Sequence, residues 1–132
     1  MTRFSMWACI LMTALSIAGG AIAGGGGEPP DNGKLSPQEA GARYGQALGA
    51  GRLCKGYKVL AGAEELAAIF KGDELKIFKE SAAHVVQAWQ RTTNCPDVPN
   101  VCMRSHLASC YEAMREIGPE GNRYPGLIGS SR

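Results

Sequence analysis

The side chains of this chain that could do chemistry are concentrated in its cysteines and in one stretch near the C-terminus. Cys102-x3-His106-x3-Cys110 sets soft and borderline donors at i, i+4 and i+8, with Met103 and Met114 close by. Such donors suit copper or zinc. The i to i+4 spacing lets neighbouring ligands share one ion on a helix face, whereas i to i+8 is too long for all three. The competing chemistry is oxidation, in which Cys54, Cys95, Cys102 and Cys110 are consumed in two disulfides and His106 and Met103 are left without a metal. The choice between them turns on the compartment the chain enters.

The N-terminal segment addresses that question. Arg3 precedes an apolar run from Met6 to Ile17, which closes on Gly19-Gly20-Ala21-Ile22-Ala23. Ala21 and Ala23 form the small-x-small pattern of a signal-peptidase site, so residues 1–23 read as a signal peptide cut after Ala23. Left in place, Met6 to Ala23 is about long enough to cross a bilayer, but Thr13, Ser16 and the Gly19-Gly20 break argue for removal. Lipidation at Cys9 would need the apolar core to precede that cysteine, and most of it follows. The expected location is periplasmic or secreted.

An even number of cysteines in an exported domain reads as a disulfide framework. Cys9 leaves with the leader, and four cysteines allow three pairings. Cys102 and Cys110 fall on one predicted helix, where eight residues of rise separate them by about 12 Å. A bridge tolerates Cα separations only up to roughly 7 Å, so that pairing is excluded. Of the remaining two, Cys95 to Cys102 with Cys54 to Cys110 is favoured, because the loop from Cys95 to Cys102, containing Pro96 and Pro99, brings its own ends together. The second bridge would tie the first helix to the last.

The composition implies no polyelectrolyte partner. The formal charge of the whole chain is +2 and falls to +1 once Arg3 is removed. Lys55, Lys58, Lys71, Lys76 and Lys79 are interleaved with Glu64, Glu65, Asp73, Glu74 and Glu80. A nucleic-acid binder concentrates its basic residues on one face; this is an ordinary solvated surface. Roughly 95 residues make one domain, small enough that covalent staples matter to its stability.

The elements that must position these cysteines follow a helical pattern. Residues 24–35 are Gly, Pro, Asp, Asn and Lys with almost no apolar side chain, a flexible lead-in. Ser36-Pro37-Gln38-Glu39 is a capping box that opens the first helix. That helix carries Ala40, Tyr44, Ala47 and Leu48 at helical spacing and is rich in glycine: Gly41, Gly45, Gly49 and Gly51. Each glycine costs about 1 kcal/mol against alanine in a helix, which close approach of another helix would explain; a ligand groove is the other explanation. An extended connector over Tyr57 to Leu60 leads to a short second helix near residues 63–71, ended by Gly72. Asp73 is expected to cap a third helix over about 74–92, with Leu75, Phe78, Ala82, Val85 and Trp89 on one stripe and His84 beside it. A fourth helix over about 101–117, capped by Asn100, turns Leu107, Cys110, Met114 and Ile117 inward. Residues 119–132 read as a mobile tail, or as an extension packing through Tyr124 and Leu127.

The expected fold is therefore all-α, a small disulfide-stapled bundle of about four helices in one domain over residues 36–118. No catalytic constellation accompanies it: His84 and His106 lie on different helices, no nucleophile motif is present, and Gly24 to Gly27 follows no strand. No cofactor and no enzymatic activity is implied. The function expected is an exported binding or interaction module whose partner is a protein or small ligand outside the cytoplasm, with no nucleic acid and no stable membrane insertion after cleavage. The alternative is a periplasmic metal or small-ligand handling protein using the Met103 and His106 helix face. Intact-mass measurement on protein from the exported fraction is expected to give a chain starting at Gly24 and four hydrogens light; a mass retaining Met1 or free thiols would refute the cleaved, two-bridge form.

Overall fold

Ser36 starts the fold in the way its neighbours require. Its Oγ accepts a hydrogen bond from the Glu39 amide at 3.2 Å, and the Glu39 carboxylate accepts from the Ser36 amide at 3.1 Å. Two amides with no partner inside the helix are thereby satisfied. The Glu39 carboxylate also accepts from the Ser36 hydroxyl at 2.9 Å, and this bond, with the one from the Ser36 amide, holds the carboxyl below the usual glutamate range. The computed structural model describes residues 35–94 and 99–132; the leader and most of the lead-in lie outside them, as does Cys95.

Four helices account for most of the described chain. With two short strands, the elements in order are α1 (Pro37–Leu53), β1 (Tyr57–Val59), α2 (Ala61–Ala68), α3 (Gly72–Arg91), α4 (Pro99–Ile117) and β2 (Ile128–Ser130). Helix α1 is the axis on which the other elements are laid, and its most extensive packing is against α3. The glycines make that contact possible. A Cβ on Gly41 would collide with the carbonyl of Phe78, one on Gly45 would stand 2.5 Å from the carbonyl oxygen of Ala82, and one on Gly49 would enter the Trp89 ring. The close-approach explanation thus holds at Gly41, Gly45 and Gly49, which all meet α3. Gly51 serves β1 in the same way, where a Cβ would stand 2.6 Å from Val59 Cγ2.

The expected stripe of α3 faces this seam: Phe78, Ala82 and Trp89 are buried, with Leu75 and Val85 half-buried. Phe78 is flanked by Tyr44 and Phe70, each ring centroid 5.3 Å away. Helix α2 contributes Ala63 and Leu66 to the same core.

Several boundaries and faces differ from the sequence reading. Helix α3 begins at Gly72, which adopts φ +57°, after an extended Lys71 that makes no side-chain cap bond. Asp73, expected as the cap, instead lies in the first turn, where a carboxylate complements the positive end of the helix dipole. Helix α4 likewise starts earlier, at Pro99, and contains Asn100 rather than being capped by it. Proline's fixed φ suits a first helical position. Leu107, expected to face inward, is 60% exposed. The buried line along α4 is Cys102, Cys110, Ala113 and Ile117, and the leucine falls to one side of it.

The segment after Gly118, expected as a mobile tail, is instead folded back onto the domain through the other course considered for it. The amides of Asn122, Arg123, Tyr124 and Leu127 donate to the carbonyls of Arg115, Glu116, Glu116 and Ile117, groups that the end of α4 leaves without helical partners. β2 then pairs antiparallel with β1 in the register Tyr57↔Ser130, Lys58↔Gly129 and Val59↔Ile128. Leu127 and Ile128 are completely buried, which stabilises the fold by roughly 1.5–3 kcal/mol each. Tyr124 is half-buried against the same core.

A helix-interior glycine replaced by alanine ordinarily gains about 1 kcal/mol. Gly45→Ala is expected to do the opposite and lower stability by roughly 1–3 kcal/mol, because the added methyl overpacks a backbone contact. Urea denaturation checks the sign, and a stabilised variant would show that α1 and α3 are further apart than described.

Candidate functional site

The end of α1, the end of α3 and the middle of α4 converge at Cys54, Thr92 and His106. Cys54 occupies the C-cap of α1 and is bonded to Cys110 of α4, with a Cα separation of 5.7 Å. This is the long-range bridge that the spacing favoured. Cys102 is also disulfide-bonded, and Cys95, the partner expected for it, lies outside the described residues. Cys102 is buried, with its Sγ 3.0 Å from the carbonyl oxygen of Thr92.

His106 is one helical turn before Cys110, half-buried between the three helix segments. Its Nε2 donates to the Leu53 carbonyl at 2.9 Å, and its Nδ1 is 3.2 Å from Thr92 Oγ1. Thr92 Oγ1 in turn donates to the Trp89 carbonyl at 2.7 Å. A hydroxyl carries one proton, so Thr92 serves the carbonyl while Nδ1 is protonated and can turn towards Nδ1 when it is not. The Trp89 ring meets the imidazole edge-on, with centroids 6.5 Å apart.

The donor set that the structure assembles differs from the one the helix spacing presented. Cys102, His106 and Cys110 do not form it; among the described residues the group able to share an ion is Cys54, His106 and Cys110, whose donor atoms all lie within 4.8 Å of one another. Cys110 Sγ is 3.7 Å from His106 Nε2. Met103, the other metal candidate, is 61% exposed on α4, and His84 is exposed on α3. The i to i+4 pair His106 and Cys110 was legible in the sequence. Thr92 and the Leu53 carbonyl carried no signal, because their roles arise from chain ends meeting in space.

A second feature of α4 lies beside this buried cluster. Met103, Leu107 and Tyr111, at i, i+4 and i+8, are 60–71% exposed and form an apolar stripe on the helix surface. Helix α4 is anchored on its other side by the Cys54–Cys110 bridge and by Glu116, whose carboxylate accepts from Arg43 at 2.8 Å and from Gln46 at 2.7 Å, both on α1. A shallow cleft of about 460 Å³ lies between α1, α3 and α4, lined by Gln46, Trp89, Ala108, Ser109 and Glu112. Glu112 is paired with Arg115, which holds its carboxyl below the usual range.

Compared with known proteins, the chain matches no family model, no curated protein and no solved structure.

The bridge closes a loop over a sequence separation of 56 residues. In the chain-entropy account a loop of that length is worth about 4 kcal/mol. Replacing Cys54 and Cys110 together by serine is expected to lower the unfolding free energy by about that amount, and replacing Cys95 and Cys102 together by less; equal losses in denaturant titrations would contradict the account.

Proposed function

We propose that this protein is an exported binding module that presents the outer face of α4 to a partner protein in the periplasm or outside the cell. The observation that carries the proposal is the exposed stripe of Met103, Leu107 and Tyr111. Methionine and tyrosine are enriched at protein interfaces, and an apolar line at i, i+4 and i+8 is the pattern by which one helix is laid into an apolar groove of another protein. The helix bearing it is held rigid from behind, so little conformational freedom is lost when a partner covers it.

The Cys54–Cys110 disulfide supports the location, since such bonds persist in oxidising compartments. Among the described residues no helix is long and apolar enough to cross a membrane. The leader read from residues 1–23 would deliver the chain there. The partner is a protein with an apolar groove of helix width, since the stripe has no flanking run of one charge that would select a polyelectrolyte.

The test is site-specific photo-crosslinking from position 107 in the exported fraction of the native host, compared with a Leu107→Glu, Tyr111→Glu variant carrying the same crosslinker at position 103. Because these residues are exposed, the substitutions should change stability by no more than about 0.5 kcal/mol. A crosslinked partner that is lost in the double variant supports the reading, and an unchanged crosslinking pattern refutes it.

A further inference from the structure

The cysteines and histidine beside Trp89 have a second use that the oxidised form conceals. We propose that Cys54, His106 and Cys110 form a Zn²⁺ site once the bridge between the two cysteines is reduced by a dithiol. The dithiol supplies two electrons and two protons to the bridge and is itself oxidised to a disulfide. Zn²⁺ then displaces the two thiol protons to water and accepts the Nε2 lone pair of a neutral His106.

The geometry is close to what the ion requires. With Zn–S near 2.3 Å and Zn–N near 2.1 Å, a tetrahedral site has sulfur-to-nitrogen edges of about 3.6 Å and a sulfur-to-sulfur edge of about 3.8 Å. Cys110 Sγ and His106 Nε2 are already 3.7 Å apart. Breaking the bridge frees Cys54 Sγ, which already lies within 4.8 Å of the donor atoms of His106 and Cys110, to take the third corner. The Cα atoms of the two cysteines are 5.7 Å apart, and the Arg43 and Gln46 bonds to Glu116 still join α4 to α1 when the bridge is open.

The surroundings fit as well. In the zinc-bound form Nε2 exchanges its bond to the Leu53 carbonyl for the metal, and the ring proton resides on Nδ1. Thr92 Oγ1 is 3.2 Å from Nδ1 and already gives its own proton to the Trp89 carbonyl, so its lone pair is turned to accept. A histidine ligand whose other nitrogen donates to an ordered oxygen is the usual outer arrangement of zinc sites. Cys54 and Cys110 are only 5% and 8% exposed, and two thiolates neutralise both charges of the ion, so its burial leaves no net charge away from water. Three protein donors leave one position open to a water or an incoming ligand. This site stands on residues other than the α4 stripe, and it stands or falls separately from the partner-binding proposal.

The test uses the exported chain reduced by a phosphine under anaerobic conditions and titrated with Co²⁺ as the spectroscopic probe, then with Zn²⁺. The expected result is uptake of one equivalent of Co²⁺ with a sulfur-to-cobalt charge-transfer band, displaced by Zn²⁺ and absent from the oxidised protein. His106→Ala is expected to weaken binding by at least about tenfold, and Thr92→Val by roughly ten- to a hundredfold. The Cys95→Ser, Cys102→Ser variant should bind as the parent does. No band in the reduced protein, unchanged affinity in His106→Ala, or loss of uptake in the Cys95→Ser, Cys102→Ser variant would each overturn the proposal. Far-ultraviolet circular dichroism covers the case in which reduction melts the helices: recovery of helicity on adding Zn²⁺ supports the site, since metal binding is then coupled to folding, and a melted chain that Zn²⁺ fails to restore refutes it.

Discussion

Backbone-to-backbone contact between α1 and α3 is the constraint on which the remaining structure depends. Gly41, Gly45 and Gly49 recur every fourth residue, and without side chains they let the α3 carbonyls of Phe78 and Ala82 and the ring of Trp89 come against the α1 backbone. Dispersion falls off steeply with distance, so interiors gain most from surfaces that meet without voids. With one face of α1 committed to α3, its other faces are left to β1, α2 and α4, and a 17-residue helix becomes the centre of a small domain.

Helix α4 is joined to that centre differently. Its packing against α1 is much less extensive than that of α3, and specific bonds take the place of area: the Cys54–Cys110 bridge, the Arg43 and Gln46 bonds to Glu116, and the bond from His106 to the Leu53 carbonyl. A staple adds stability mainly by restricting the unfolded chain, so it can hold a helix that buries only one narrow line of side chains. The consequence is visible on the outside of α4, where Met103, Leu107 and Tyr111 have no neighbour within the described domain to cover them. Covalent attachment allows a helix to be both fixed in place and left with apolar surface to offer.

The backbone accounting at the end of α4 explains why the last residues are ordered. A helix terminus leaves carbonyls without partners, and burying them unsatisfied costs about 1–3 kcal/mol each. Residues 121–127 supply the amides, and the turn they make delivers Leu127 and Ile128 into the core. Gly126, at φ +85°, is where the chain reverses to do so, a conformation in which a side chain would be strained. β2 then closes on β1 as the only sheet among the described residues.

How much of this was legible in the residues alone depends on the range of the forces involved. Ser36-Pro37-Gln38-Glu39 announced α1 because capping is local, and the stripe from Leu75 to Trp89 announced α3 because helical periodicity is local too. Helix rise excluded only the Cys102 to Cys110 pairing, and the short loop from Cys95 to Cys102 then favoured the scheme containing the Cys54 to Cys110 bridge. Residues 119–132 have the composition of a loop, and their order comes from the carbonyls at the end of α4 and from pairing with the distant β1. Leu107 was placed inward because leucine at helical spacing usually is, but the rotation of α4 is set by where Cys110 must meet Cys54 and where Ile117 meets the tail. The sequence by itself determined that the domain is built from four helices and where the glycines of α1 recur, since each is encoded within a few turns of chain, and it narrowed the cysteine pairings to two schemes. Only the tertiary structure decided that His106 joins Cys54 and Cys110, and which face of α4 is left to solvent, because both depend on how three helices stand relative to one another.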